Sequence, residues 1–277
     1  MKFPKSFLLF VLCLLVNGLF AQSFTMEQVS SFSFPSELVT SSAGNKMAWA
    51  MNERGLRNVY VAQAPDFSPR KVTAFDKDDG QEISSLQFSQ DGNWLLFVRG
   101  GEHGSNWDPN VGFNPAQSTS IPKVELWTVS FEGGNAKALA DGDYPVISPD
   151  SKTITYIKGG QVWSISLQDG KASQLFEAKG NINSIEWSPD GKKLLFVANR
   201  NTHSLIGIFS GASNPIQWVA PSFSRDVSPR WSIDGTKIAF VRLPGGKGQE
   251  LPILEQRHNP WEIWVADAVS GTAYKRW

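Results

Sequence analysis

The sequence predicts an all-β fold: a β-propeller of four-stranded antiparallel blades, about five of them present, with the ring incomplete. Three observations predict it. A turn-and-hairpin pattern recurs along the chain in Leu86–Phe97 (LQFSQDGNWLLF), Val146–Tyr156, Glu186–Phe196 and Arg230–Phe240, with a fainter copy in Val39–Trp49. A further short apolar run follows each copy: Asn58–Ala62, Glu125–Val129, Gln161–Ile165, Leu205–Phe209 and Glu262–Ala266. The composition, with 11 Trp, 18 Phe, 24 Gly and 16 Pro, suits many short strands joined by turns.

Each copy has a physical reading. An apolar residue leads into Ser-x-Asp-Gly, then into alternating apolar positions that end in an aromatic. Pro presets φ in such a turn, Asp bonds the nearby backbone, and Gly accepts a positive φ. An apolar run before and an alternating run after make a β-hairpin. The run that follows supplies a third strand. A polar turn and a short fourth strand come next, as in Gly170-Lys171-Ala172-Ser173-Gln174-Leu175. Four antiparallel strands per ~40–50 residues is the repeat of a propeller blade. Residues 22–277 are therefore expected to form a partial propeller, with blades at roughly 36–75, 83–140, 144–177, 183–220 and 227–277. Trp127, Trp163 and Trp264 in third strands, and Trp187 and Trp231 ahead of the turns, are expected to fill the space between blades.

The N-terminus reads differently. Lys2 and Lys5 precede the apolar run Phe7–Val16, which Asn17 and Gly18 end, and Ala21 offers a small residue for cleavage. That is the layout of a secretory signal peptide over 1–21. The run is too short for a membrane span of about 20 residues, and no later segment is long and apolar enough to span. Export to a bacterial periplasm or beyond is expected. The one cysteine, Cys13, lies within this segment, so no internal disulfide or multi-cysteine metal site is available. With 26 Lys+Arg against 26 Asp+Glu, the chain has no basic surplus for a phosphate backbone, and nucleic acid is not an expected partner. Three histidines leave little for a metal cluster, and nothing in the sequence calls for a cofactor.

The repeat resembles that of TolB-like proteins and of the propeller in prolyl oligopeptidase-family serine peptidases. The segments between repeats carry the second likeness further. Ser36-Glu37-Leu38-Val39, Asn58-Val59-Tyr60-Val61-Ala62, Val98-Arg99-Gly100-Gly101, His103-Gly104-Ser105-Asn106-Trp107, Pro221-Ser222-Phe223-Ser224-Arg225-Asp226 and Arg257-His258-Asn259-Pro260-Trp261 look like exported bacterial members of the dipeptidyl-peptidase and acylaminoacyl-peptidase branch. The resemblance implies an N-terminal propeller followed by an α/β-hydrolase domain that bears a Gly-x-Ser-x-Gly elbow. No such elbow occurs here. The nearest string, Gly211-Ala212-Ser213-Asn214-Pro215, ends in Pro. No catalytic residue is assigned, and the resemblance implies that the chain is a fragment of a longer protein.

Propeller topology brings all loops between second and third strands to one face. The three histidines fall in such loops: His103 in 100–123, His203 in 199–204 and His258 in 243–261. Arg99, Trp107, Asp108, Arg200, Arg257 and Trp261 accompany them. Long loops without regular structure are often functional. These nine residues are the candidates for a substrate-facing surface. Arg99, Lys158 and Arg242 each stand two residues after the last aromatic of a second strand. They read as solvent-facing, or as a basic ring for a peptide carboxylate. The acidic run 76–82 opens on the same face.

Two functions follow. One is the non-catalytic propeller of an exported serine peptidase, gating or positioning peptides for a hydrolase domain outside this chain. The other is a TolB-like periplasmic module that binds protein partners without an enzyme domain. An unfinished ring also exposes apolar flanks, so poor solubility is expected for 22–277 alone.

Overall fold

A computed structural model describes residues 24–101, 103, 114, 117, 119–246 and 260–277 of the chain. The predicted signal segment lies outside the described residues. So do Trp107, Asp108, Arg257 and His258. A short helix, α1 (Met26–Ser30), opens the described chain, with Thr25 and Gln28 forming a reciprocal capping box at its N-terminus.

Twenty strands follow, in five antiparallel groups of four. Blade one holds β1 (Phe34–Thr40), β2 (Lys46–Glu53), β3 (Leu56–Gln63) and β4 (Arg70–Lys71); blade two holds β5 (Ile83–Phe88), β6 (Trp94–Arg99), β7 (Glu125–Ser130) and β8 (Lys137–Asp141). Blade three holds β9 (Asp143–Ile147), β10 (Thr153–Lys158), β11 (Gln161–Ser166) and β12 (Ala172–Phe176). Blade four holds β13 (Asn181–Trp187), β14 (Leu194–Asn199), β15 (Ser204–Phe209) and β16 (Gln217–Val219). Blade five holds β17 (Arg225–Trp231), β18 (Lys237–Leu243), β19 (Glu262–Asp267) and β20 (Ala273–Lys275). A single parallel pairing, Ser204 with Arg225, links blades four and five.

The turn between first and second strands is built alike in all five blades. The N–H of the fourth turn residue donates to the carbonyl of the first: Gly44 to Ser41, Gly92 to Ser89, Ser151 to Ser148, Gly191 to Ser188 and Gly235 to Ser232. The glycines take φ near +70°, and Ser151 tolerates +55°. In the last four copies the serine hydroxyl donates to the turn aspartate at 2.6–2.7 Å. It also accepts the N–H five residues on, from Trp94, Thr153, Lys193 and Lys237. The sequence pattern is therefore a closed local network, and its side chains spend both roles of each hydroxyl.

Every innermost strand also bulges. The register of β1, β5, β9, β13 and β17 against its neighbour slips once. Four residues before the turn serine, Glu37, Ser85, Tyr144 and Ser228 take φ of 56°, 54°, 48° and 51°. None is glycine, so each left-handed residue costs on the order of 1 kcal/mol. The left-handed residue recurs in four of the five blades, while β13 makes its bulge without one. Bulges bend and twist a strand, here where the strands crowd nearest the axis.

Four separate cores fill the spaces between consecutive blades. The alternation of a strand sends successive side chains to opposite neighbours. Leu194, Phe196 and Ala198 of β14 pack toward blade three with Ile157, Val162 and Phe209, whereas Leu195 and Val197 pack toward blade five with Ile238, Phe240 and Ala266. In β6, Leu95 and Phe97 face blade one and Leu96 faces blade three. The tryptophans lie in these seams: Trp127 against Phe75 with rings edge-on at 5.5 Å, Trp163 across the strand pair from Tyr156, Trp264 stacked on Phe240 at 6.5 Å, and Trp187 and Trp231 against the cores on either side of blade four. Gly207 of β15 is the one strand position where a Cβ would run into the Phe196 ring. No comparable packing joins blade five to blade one among the described residues. Phe34 and Leu38 on blade one, and Trp261, Tyr274 and Trp277 on blade five, are exposed.

Candidate functional site

The chain order gives the ring two unlike faces. One carries the Ser-x-Asp-Gly turns. The other carries the loops from second to third strands and the links from blade to blade. A cleft of about 580 Å³ opens on the loop face, between blades two, three and four. Its walls come from 122–124 ahead of β7, the 141–144 link, the 157–160 turn and 181–183 at the start of β13.

His103 braces one side of this cleft. Its Nδ1 lies 2.8 Å from Glu82 Oε2, and its backbone N–H donates to the same oxygen at 2.7 Å. Its Nε2 lies 2.8 Å from Asp143 Oδ2, the first residue of blade three. One imidazole thus ties the second-to-third loop of blade two to the start of its own blade and to the next blade. Asp143 and then Glu82 favour the charged ring and push its pKa up to about 10, against the opposing effect of burial. Burial acts to raise the Glu82 carboxyl, but hydrogen bonds from the His103 side chain and backbone outweigh it and hold the value below the usual one. Tyr144, the left-handed residue of β9, sets its ring edge-on to His103 at 5.7 Å and leaves it partly exposed at the cleft.

The basic residues at the ends of second strands are not a solvent-facing ring, and their environments differ. Arg99 pairs with Asp79 at 2.5 Å and lies over the Phe75 ring at 4.3 Å. Burial raises the Asp79 carboxyl, yet the Arg99 bond prevails and lowers it. Arg242 grips the fully buried Asp226 with two bonds of 2.7 and 2.8 Å, and lies over Trp264 at 4.4 Å. Two of the three positions are therefore ion pairs on an aromatic ring, the Arg242 pair buried and the Arg99 pair partly solvated. Lys158 has the ring, Trp163 at 5.4 Å, but no carboxylate partner among the described residues. It is exposed and lines the cleft.

The other sequence candidates scatter. His203 contacts Thr202 Oγ1 at 3.1 Å and meets Phe223 edge-on, at the seam of blades four and five. Arg200 bonds the Lys179 carbonyl and lies over Trp218 at 4.9 Å. Trp261 packs on Trp277 at 4.3 Å on the open flank of blade five. Ser213 sits in the turn between β15 and β16, with Asn214 N–H bonded to the Gly211 carbonyl. Reading the sequence missed Glu82, Asp143 and Tyr144 as partners of His103. The acidic run 76–82 was the available signal for Glu82 and Asp79. Nothing local marked Asp143. Among the described residues no group of three or more His, Cys, Asp and Glu could hold a metal.

Four-stranded antiparallel blades, with uniform turns on one face and a cleft among divergent loops on the other, define a β-propeller architecture. The profile of the TolB beta propeller domain matches residues 111–255, more than half of the chain, and the chain belongs to that family. No curated protein sequence matches it. Among solved structures, it is similar to TolB from Acinetobacter baumannii, at 17% identity and TM-score 0.55, over 87% of this chain and 53% of that one. It is also similar to a protein assigned as dipeptidyl aminopeptidase IV from Bacteroides ovatus, at 12% identity and TM-score 0.60, over 85% and 38%. A puromycin-hydrolyzing peptidase from Mycobacterium tuberculosis aligns at 12% identity and TM-score 0.54, over 88% and 44%. The chain thus spans about half or less of these three proteins, and likeness at such identities speaks to the fold alone. No described helix is long and apolar enough to cross a membrane.

Proposed function

We propose that this chain is the propeller part of an exported, periplasmic serine peptidase of the prolyl oligopeptidase family, and that its loop face admits and positions peptides for a hydrolase domain. The observation that carries the reading is the loop-face cleft, braced by His103 and lined by Lys158, a cation with no carboxylate partner among the described residues. A module with only scaffold duties needs neither a tripartite clamp beside an open cleft nor an exposed aromatic on a left-handed residue. The volume is that of a small-ligand or peptide subsite. The two peptidase likenesses support the reading, because this chain aligns nearly whole with a minor part of each.

The second reading is a non-enzymatic TolB-like module that binds protein partners. The family match and the likeness to TolB favour it. The coding sequence beyond the Trp277 codon separates the two. An in-frame Gly-x-Ser-x-Gly elbow, with Asp and His after it, is the result expected for the peptidase. A stop codon after at most one more blade favours the binding module. In the longer enzyme, His103→Gln is expected to change the range of peptide lengths cleaved. Unchanged size selectivity removes the gating role.

A further inference from the structure

We infer that the loop-face cleft recognises a peptide carboxylate, with Lys158 as its counter-ion and the Tyr144 ring as a platform for the adjoining residue. The inference rests on the peptide-handling reading above and names the chemical group that reading leaves open. It starts from a comparison of equivalent positions. The fold places a cation over an aromatic ring at the end of β6, β10 and β18, and in β6 and β18 it supplies the anion as well: Asp79 for Arg99 and Asp226 for Arg242. In β10 the cation and ring are kept, and among the described residues no anion pairs with it. The other charges in the cleft are already spent. Lys123 pairs with Asp141 at 3.1 Å, and Asp143 is held by His103. Among the described residues, an incoming anion therefore meets the Lys158 ammonium without a carboxylate already on it.

Tyr144 is the second, independent observation. Its backbone is left-handed, as at the matching Glu37, Ser85 and Ser228, whereas Ser184 of blade four is not. A large aromatic is the costliest of these choices, so its ring needs a reason to be there. That ring lines the cleft, as do Ile157 and Ile182, while Asn181 and Asn183 bring exposed amides that can bond a peptide backbone. One ammonium among apolar walls suits a single negative charge. A phosphate, with its greater charge, is more often met by arginine or by several donors. The carboxylate could come from a chain terminus or from an Asp or Glu side chain.

Calorimetric titration of the full chain with three probes tests this: acetyl-Ala-Ala-Phe with a free carboxylate, its C-terminal amide, and acetyl-Ala-Glu-Phe-amide. The free-acid probe or the Glu probe is expected to bind at least about tenfold more tightly than the neutral amide, and which of the two does so identifies the source of the carboxylate. Lys158→Gln is expected to abolish that difference, and added salt to shrink it. Tyr144→Ser, which installs the residue of blades two and five, keeps the bulge and is expected to weaken all three probes alike. Equal binding of all three, unchanged by Lys158→Gln, overturns the carboxylate inference and leaves peptide handling standing. Binding of none of them overturns both.

Discussion

The two faces of the propeller are built by different rules. On the turn face the same few residues do the same thing in blade after blade. A serine hydroxyl bonds an aspartate and a backbone N–H five residues on, all within one short stretch of chain. On the loop face the bonds that matter join distant residues: His103 to Asp143, Glu82 to His103, Asp79 to Arg99 and Arg242 to Asp226. Local, repeated interactions specify a fold. Unique, long-range ones specify a site.

That difference can be broken most severely at Asp226. Its carboxylate has no exposure, and Asp226→Ala leaves the mostly buried Arg242 guanidinium without a carboxylate, with only the Ala220 carbonyl still accepting from it. The expected loss is about 3–5 kcal/mol, read as a lowered midpoint in urea. The equivalent change at Asp79, whose side chain is 37% exposed, is expected to cost clearly less. Equal losses at the two sites would contradict the assignment of one as buried and the other as partly solvated.

His103→Gln is expected to cost about 1–3 kcal/mol, since it breaks charge-assisted bonds to two carboxylates. The pH dependence carries the sharper signature. The folded-state pKa of about 10 lies above the ~6.5 of a free imidazole. The stabilisation is therefore complete below about pH 6.5 and is lost as pH rises through about 10. Wild-type stability should fall across that window, and the variant should lack this component of the slope.

The turn face should respond more weakly and more evenly. Ser188→Ala removes a donor to Asp190 and an acceptor for the Lys193 N–H, for about 1 kcal/mol. Ser89→Ala and Ser148→Ala are expected to agree with it within about 0.5 kcal/mol, because their networks are the same. The serine hydroxyl, then the backbone N–H, lower the carboxyls of Asp91, Asp150, Asp190 and Asp234, the last to about 2. Their contribution is present above about pH 4 and disappears as pH falls through those lowered values. Acid titration thus weakens the turn face, whereas alkali releases the clamp. Lys123→Met, at an exposed pair with Asp141, should change stability by less than about 0.5 kcal/mol.

The same division decides what was legible in the sequence. The hairpins were, because Ser188, Pro189, Asp190 and Gly191 announce their turn in four consecutive residues. The third strands and the inter-blade tryptophans followed from spacing and alternation. The bulge was not: Glu37, Ser85, Tyr144 and Ser228 are not glycine, and only the crowding of inner strands drives them to positive φ. Nor was the clamp, since the partners of His103 lie 21 and 40 residues away and no local pattern couples them. Nor were the ion pairs of Arg99 and Arg242: Asp79, in the link from blade one to blade two, lies 20 residues away, and Asp226, within β17, lies 16 residues away.

Hydrogen–deuterium exchange of the full chain, with and without acetyl-Ala-Ala-Phe, tests the functional contrast between the faces most directly. The account predicts slowed exchange at 122–124, 141–144, 157–160 and 181–183, and no change in the turns at 89–92, 148–151 and 188–191. Protection confined to the turns, or none at either face, would contradict it.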